Sequence, residues 1–312
     1  MRVGLVGVGH MGLGMARNIL RKKAATMSVC VYDVSHSNLE ALGAAPGLHV
    51  ASSVSDLTSR CDVIALSLPS QTAQDAVLFG PGGVTEAVEK DERFEPLTIV
   101  DHGTFSHAFA LSTHATLARH GIAYVDAPVS GGPAGAEAGS LTVMLGCSQG
   151  QLSLLRPLLN MYASKLTRFG ATGSGMAAKI INQLLVGVHA QAACEALALA
   201  EKMSLEVPLL QEMLASSWGQ SRVLELVLAD YQRLRREGNG WKGMDGPTGA
   251  PLRNLDKDFS CVLEAAAGGA TLPCVEITAK AISEACRSPR MDGPFASLIE
   301  NLRPRPAAPS GK

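Results

Sequence analysis

Two kinds of hydrophobic pattern divide the chain. In the first half, short apolar runs alternate with amphipathic stretches. The runs read as buried strands and the stretches as covering helices, which is the rhythm of a doubly wound parallel sheet. Strands are expected at Val3 to Val6, Met27 to Tyr32, Val50 to Ser52, Asp62 to Leu68, Leu97 to Val100, Ile122 to Asp126, Leu141 to Leu145 and Lys165 to Gly170. Between them the spacing predicts helices at Leu13 to Arg21, Val54 to Arg60, Gln71 to Leu78, Ser106 to His120 and Gln151 to Met161. Gly80-Pro81-Gly82-Gly83 reads as a turn, and Gly121 as a helix stop.

From Gly173 to Lys202 the pattern changes. This stretch has no Pro and is dense in Ala, Leu and Ile, so it predicts one helix roughly seven turns and about 40 Å long. Apolar residues fall on nearly every side of it, so protein should wrap it and two domains should share it. Beyond it every apolar pattern has helical period: Val207 to Ser216 with Pro208 at the start, Arg222 to Arg235, Leu252 to Ala267 and Pro273 to Cys286. The expected fold class is α/β, a Rossmann-type doubly wound sheet in residues 1–171, then an all-α domain in 172–302 that begins with the long helix. The tail 303–312, RPRPAAPSGK, has the composition of a disordered end.

Composition narrows the function classes. The 312 residues are enough for two cores. A net charge of −1 leaves no basic stripe for nucleic acid, and Arg21-Lys22-Lys23 and Arg233 to Arg236 read as solvated helix ends. Seven scattered Cys show neither C-x-x-C nor metal-ligand spacing, which argues against a disulfide framework or a metal site and for reduced thiols in the cytoplasm. No uninterrupted apolar run reaches the ~18 residues of a membrane span, and a strand starting at Arg2 leaves no room for a cleavable leader.

Chemistry enters at three places. The run Val3 to Val6 breaks into Gly7-Val8-Gly9-His10-Met11-Gly12, a G-x-G-x-x-G at a strand-turn-helix junction. Gly7 permits the turn, Gly9 admits a pyrophosphate and Gly12 allows close packing, while the helix start at His10 and Met11 offers free N–H groups. Asp33, at the end of the second strand, is placed to accept bonds from an adenosine ribose and to repel a 2′-phosphate, which favours NAD over NADP. A plain strand-end turn residue is the competing reading of Asp33. Leu68 and Pro69, ending the strand from Asp62, should look onto the same cofactor.

The second place is the Gly-rich stretch from Asp126 to Gly146. Its exposed N–H groups, with the Ser130 hydroxyl and the bare Gly131 and Gly132, form a nest suited to a carboxylate; an empty surface loop is an equally good reading. The third is Lys179, Asn182 and Gln183, which share a face of the long helix at i, i+3 and i+4. A cation and two amides near the start of a buried helix each need a partner, although a lone helical Lys is more often structural.

Taken in order, the Gly7 to Gly14 turn, the Asp126 to Gly146 stretch and Gly173-x-Gly175-x-x-x-Lys179-x-x-Asn182-Gln183 resemble the β-hydroxyacid dehydrogenase family. Lys179 to His189 and Val77 to Gly80 are most similar to its L-threonate branch, apart from Asn182, where that branch tends to carry His. The resemblance implies a hydride transfer between NAD and a small 3-hydroxy acid of the 3-hydroxyisobutyrate, L-threonate or tartronate semialdehyde type. It makes Lys179 the general acid/base, with an amine pKa lowered by burial and nearby positive charge. Ser130, Gly131, Gly132, Asn182 and Gln183 become the substrate residues, and Thr104 and Lys257, the latter in Asp256-Lys257-Asp258-Phe259, join the cofactor set. The implied partner is the small acid, and the largely apolar surface of the long helix suggests a partner subunit, in a homodimer or homotetramer. A cofactor-binding module without turnover and an imine or ketone reductase are the rival readings. Ser217-Trp218 falls where relatives often place substrate-side residues, though a buried Trp is more commonly core. Three features depart from the pattern: Asp101-His102-Gly103-Thr104 lacks the family's usual Ser at 103, residues 236–251 form a long Gly-rich loop, and the tail 303–312 offers no recognisable address.

Overall fold

The structure, a computed structural model, describes residues 1–90, 96–237 and 249–302. It divides into two compact units, Met1–Ile180 and Ile181–Lys312.

The first unit is built on a 9-stranded sheet. Its strands are β1 (Arg2–Val6), β2 (Ser28–Tyr32), β3 (Leu48–Val50), β4 (Val63–Leu66), β5 (Thr98–Asp101), β6 (Ala123–Asp126), β7 (Val129–Ser130), β8 (Leu141–Gly146) and β9 (Ala163–Gly170). The order is β3-β2-β1-β4-β5-β6-β8-β7, with β9 paired to β8. Strands β1 to β6 run parallel, and β8 turns antiparallel against β6 and β7. Helices cover both faces of such a sheet, so the central strands are apolar throughout rather than alternating. β4, VIAL, is buried at every position.

The covering helices are α1 (His10–Lys22), α2 (His36–Leu42), α3 (Val54–Arg60), α4 (Gln71–Phe79), α5 (Val84–Lys90), α6 (His107–Arg119), α7 (Gly132–Ala138) and α8 (Gln149–Leu159). Ser53, Ser70, Ser106 and Ser148 each cap a helix by accepting an N–H from its first turn, a device that stabilises a helix start by about 1 kcal/mol. The core gathers Val3, Leu5, Met15, Ile19, Val31, Val125, Val143, Leu155 and Tyr162.

Local reasoning misses in three places here. β3 lies at Leu48–Val50 rather than 50–52, because it must pair with Val29 to Val31, while Ser52 and Ser53 are taken up by the start of α3, where the Asp56 carboxylate accepts the Ser52 N–H at 2.9 Å. Helices α2 and α5 went unforeseen. Each has seven residues, too few to display a 3.6-residue period clearly. The Gly-rich stretch from Asp126 to Gly146 is not one open loop, since β7 and α7 form inside it, with Pro133 at the helix start and Asn18 of α1 donating to the Ala136 carbonyl at 2.8 Å.

Helix α9 (Ser174–Lys202) is 29 residues long and carries the division between the units within it. The second unit continues with α10 (Val207–Ala215), α11 (Arg222–Glu237), α12 (Leu252–Ala266), α13 (Pro273–Cys286) and 3-10 turns at Pro289–Asp292 and Phe295–Asn301. Its core includes Leu197, Val227, Leu228, Leu255, Phe259, Val262, Ile282 and Leu298. Gly187 lets α12 close on α9: a Cβ there would fall 1.8 Å from the Phe259 ring.

By length and composition α9 is apolar enough to cross a membrane, with an 18-residue window of mean hydropathy 1.3, of which 44% is buried. The uninterrupted-run criterion hid this because polar residues break the pattern. Those breaks also argue for a protein core, since Lys179, Gln183 and Gln191 are buried and would be costly against lipid. The wrapping is incomplete within one chain, as Ile181, Leu185 and Leu199 stay exposed.

Candidate active site

The carboxyl ends of the parallel strands bring most of the expected residues to one edge of the first unit. Gly7 follows β1 at φ +89°, and a Cβ there would lie 2.4 Å from the carbonyl of Ser67, which follows β4. Gly12 is as constrained, its Cβ position being 1.9 Å from the Gly7 carbonyl. Gly9 faces open space, with Asn38 Nδ2 at 3.8 Å from its Cβ position, and as N-cap of α1 it supplies no side-chain cap. The first-turn amides at His10, Met11 and Gly12 are therefore presented to whatever occupies that space. This cradle fits a dinucleotide pyrophosphate.

Asp33 takes the turn part that the sequence left open as the competing reading. Its carboxylate accepts N–H bonds from Val8 and Ser35, both at 2.7 Å, and from Asn38 Nδ2 at 3.2 Å. A carboxylate has about four acceptor positions, so one remains for a ribose hydroxyl. Asn38 was not foreseen; it lies in α2, whose brevity left no pattern to read. Leu68 and Pro69 follow β4, half-buried and exposed respectively.

Behind this edge lies a buried polar layer. Asp101 accepts bonds from Gln74 Nε2, Tyr124 OH and Gly103 N, each at 2.8 Å, and burial pushes its carboxyl up. Burial lowers the His102 pKa to about 4, so the ring is neutral at pH 7. Its Nδ1–H donates to the Ala127 carbonyl at 2.7 Å, and Nε2 accepts the Tyr162 hydroxyl at 2.9 Å. The missing Ser at 103 has a steric reason, since a Cβ there would fall 2.2 Å from the Phe105 ring. Thr104 follows, half-buried.

Asp126 ends β6 and reaches the start of α9. Oδ1 accepts the Gly173 N–H at 2.7 Å and Oδ2 the Met176 N–H at 2.8 Å. Burial pushes this carboxyl up, and the helix amides oppose the shift. Ser130 lies four residues after Asp126 and Lys179 three after Met176, so the cap fixes both segments to a common point. Ser130 is half-buried. Gly131 and Gly132 hold φ +131° and +62°, conformations that L side chains rarely adopt. Lys179 is 7% exposed.

In the second unit a chain of side chains runs from α9 to α12. Asn182 Nδ2 donates to Gln183 Oε1 at 2.8 Å, Gln183 Nε2 donates to Asp258 Oδ2, and Lys257 Nζ pairs with Asp258 Oδ1 at 2.8 Å. Asp258 had no role assigned from sequence, although it stands in the motif quoted for Lys257. Trp218 is fully exposed rather than core. Of the Gly-rich segment 236–251, residues 238–248 lie outside the described residues, as does the tail 303–312.

Comparison with known proteins agrees with this layout. Residues 2–171 match the NAD binding domain of 6-phosphogluconate dehydrogenase. Residues 173–302 match the family described as NAD-binding of NADP-dependent 3-hydroxyisobutyrate dehydrogenase. The chain is 35% identical over 231 residues to 2-(hydroxymethyl)glutarate dehydrogenase of Eubacterium barkeri, covering 74% of each chain. It is 35% identical over 238 residues to L-threonate dehydrogenase of Cupriavidus necator, covering 74% of this chain and 77% of that one. The crystal structure of 3-hydroxyisobutyrate dehydrogenase from Salmonella typhimurium superposes with a TM-score of 0.82 at 27% identity, over 96% of this chain and 99% of the other. With both halves matched in order and the Gly-rich turn, capped helix and buried lysine in place, the chain belongs to the β-hydroxyacid dehydrogenase family.

Proposed function

We propose that the protein is a dehydrogenase that oxidises the hydroxyl of a small 3-hydroxy acid, reversibly, with NAD as the preferred cofactor. The observation that carries this reading is the Asp126 cap, which ties the Ser130 segment and the Lys179 turn of α9 to one carboxylate. The named substrates of relatives, 2-(hydroxymethyl)glutarate and L-threonate among them, supply the substrate class.

Oxidising an alcohol beside a carboxylate needs a fixed acid group and a base for the hydroxyl proton. Ser130 and the backbone of Gly131 and Gly132 hold the carboxylate. The Lys179 amine takes the proton at Nζ in oxidation and returns it in reduction. Asn182, one helical step on, orients the hydroxyl, with its amide direction set by Gln183 and, through it, by Asp258. Gly7, Gly9, His10, Met11 and Gly12 hold the dinucleotide phosphates, Asp33 the ribose, and Leu68, Pro69, Thr104 and Lys257 complete the cofactor residues. When bound, the nicotinamide supplies the hydride acceptor. NAD preference rests on Asp33, against the NADP named in the second family description.

None of the seven Cys is in a disulfide, which suits a reducing, cytoplasmic setting. The exposed Ile181, Leu185 and Leu199 of α9 suit burial by a second copy in a homodimer or homotetramer.

The test is a spectrophotometric screen at 340 nm with NAD and NADP against L-threonate, 3-hydroxyisobutyrate, D-glycerate and a neutral alcohol. Turnover of one or more acids with no turnover of the alcohol supports the reading. Tight cofactor binding with silence on every substrate favours a binding module, and reduction of neutral imines or ketones favours the reductase alternative.

A further inference from the structure

The cysteines are unused by this chemistry, and two of them meet. Cys30 lies in β2, and Cys61 follows α3 as its C-cap. Between them runs β1, where Gly4 pairs with Cys30 on one side and Ile64 on the other. Register partners in parallel strands point to the same face, so Cys30 projects to the side on which a Gly4 Cβ would stand. That Cβ would fall 3.0 Å from Cys61 Sγ. The two thiols therefore converge over bare backbone, and they are hydrogen-bonded to each other.

The pair is chemically asymmetric. The hydrogen bond with Cys61 lowers the Cys30 pKa, burial and the Asp56 carboxylate oppose this, and the Arg60 guanidinium adds to it. The same bond, with burial, raises Cys61. Cys30 is thus the sulfur that ionises first, and Cys61 keeps its proton until Cys30 has reacted. A cleft of about 500 Å³ lined by Arg2, Cys30, His49 and Arg60 reaches Cys30, ample for a small oxidant, with Arg2 and Arg60 at its rim ion-paired to Asp62 and Asp56. Cys147, Cys194, Cys261 and Cys286 are instead raised by burial.

We propose that Cys30 and Cys61 form a peroxide-reactive dithiol that closes to a disulfide over β1. The Cys30 thiolate attacks one oxygen of hydrogen peroxide, the O–O bond breaks, and the departing hydroxide takes a proton to become water, leaving a sulfenic acid. Cys61 then gives up its proton, its sulfur attacks that of Cys30, the S–O bond breaks and a second water leaves. Two thiols lose two electrons in total, and one peroxide becomes two waters.

Peptide mapping tests this on the full folded chain. Trypsin cuts after Lys23, Arg60 and Lys90, so Cys30 and Cys61 fall on separate peptides, 24–60 and 61–90, each with a single Cys. After brief peroxide treatment and alkylation, the two peptides should appear joined and should separate on reduction. Cys30 should be consumed on the order of tenfold faster than the buried Cys194. In Cys61→Ser the Cys30 sulfenic acid should persist and be trapped by a 1,3-diketone, and in Cys30→Ser the linked species should vanish. The proposal is overturned if peroxide consumes the exposed Cys274 while Cys30 and Cys61 both stay alkylatable. It is also overturned if Cys30 in the parent protein passes to sulfinic acid without the linked peptide.

Discussion

The Asp33 carboxylate accepts the Val8 N–H at 2.7 Å, tying the end of β2 to the turn that follows β1. A charged acceptor bond contributes about 1.5–3 kcal/mol, so Asp33 serves the shape of the turn besides the ribose role proposed for it. Asp33→Asn should weaken NADH by roughly tenfold or more and leave NADPH unchanged or tighter. Fluorescence titration with both cofactors reads this, and equal weakening of the two would restrict Asp33 to the turn.

Lys179→Met keeps much of the side-chain volume and removes the amine. It should cut kcat/KM by about 10²–10⁴ while the NADH dissociation constant stays put. Turnover at the parental rate would remove Lys179 from the mechanism.

Asp258 joins Gln183 to Lys257. In Asp258→Ala a buried amide loses one acceptor and an ammonium one ion-pair partner, a change worth about 1–3 kcal/mol of stability. KM for the hydroxy acid should rise as the Asn182 and Gln183 amides lose their fixed direction, with NADH affinity less affected. Asp258→Asn, which can still accept from Gln183, should recover part of the KM. An unchanged KM in both variants would confine Asp258 to a structural role.

His102 gives a pH signature. Its folded pKa, lowered to about 4 by burial, lies below the ordinary value near 6.5. Above pH 6.5 both folded and unfolded states are neutral and the residue costs nothing. As pH falls from 6.5 towards 4 the unfolded state takes up the proton first, so stability is lost across that window. By pH 4.5 the loss amounts to about 2–3 kcal/mol. His102→Asn should flatten this part of the profile, as read by urea denaturation at pH 7 and 4.5, whereas parallel profiles for variant and parent would assign the acid sensitivity elsewhere.

Periodicity alone determined the alternation from Val3 to Gly170 and the helical second half, because burial on both faces or one stripe writes itself into spacing. It also placed the turn at Gly7 to Gly12, where the backbone admits no side chain at Gly7 and Gly12, and it picked out Lys179 as a charge in an apolar helix. Tertiary structure decided what depends on partners distant in sequence. β3 took the register that β2 offered, and α7 formed where Asn18 could hold it. Asp126 joined the Ser130 segment to the start of α9, and Asp258 met Gln183 across 75 positions of chain. Cys30 and Cys61 came together because β1 passes between them with a glycine at the crossing. Local spacing carries no record of such pairings, since each depends on which segments the folded sheet and bundle set side by side.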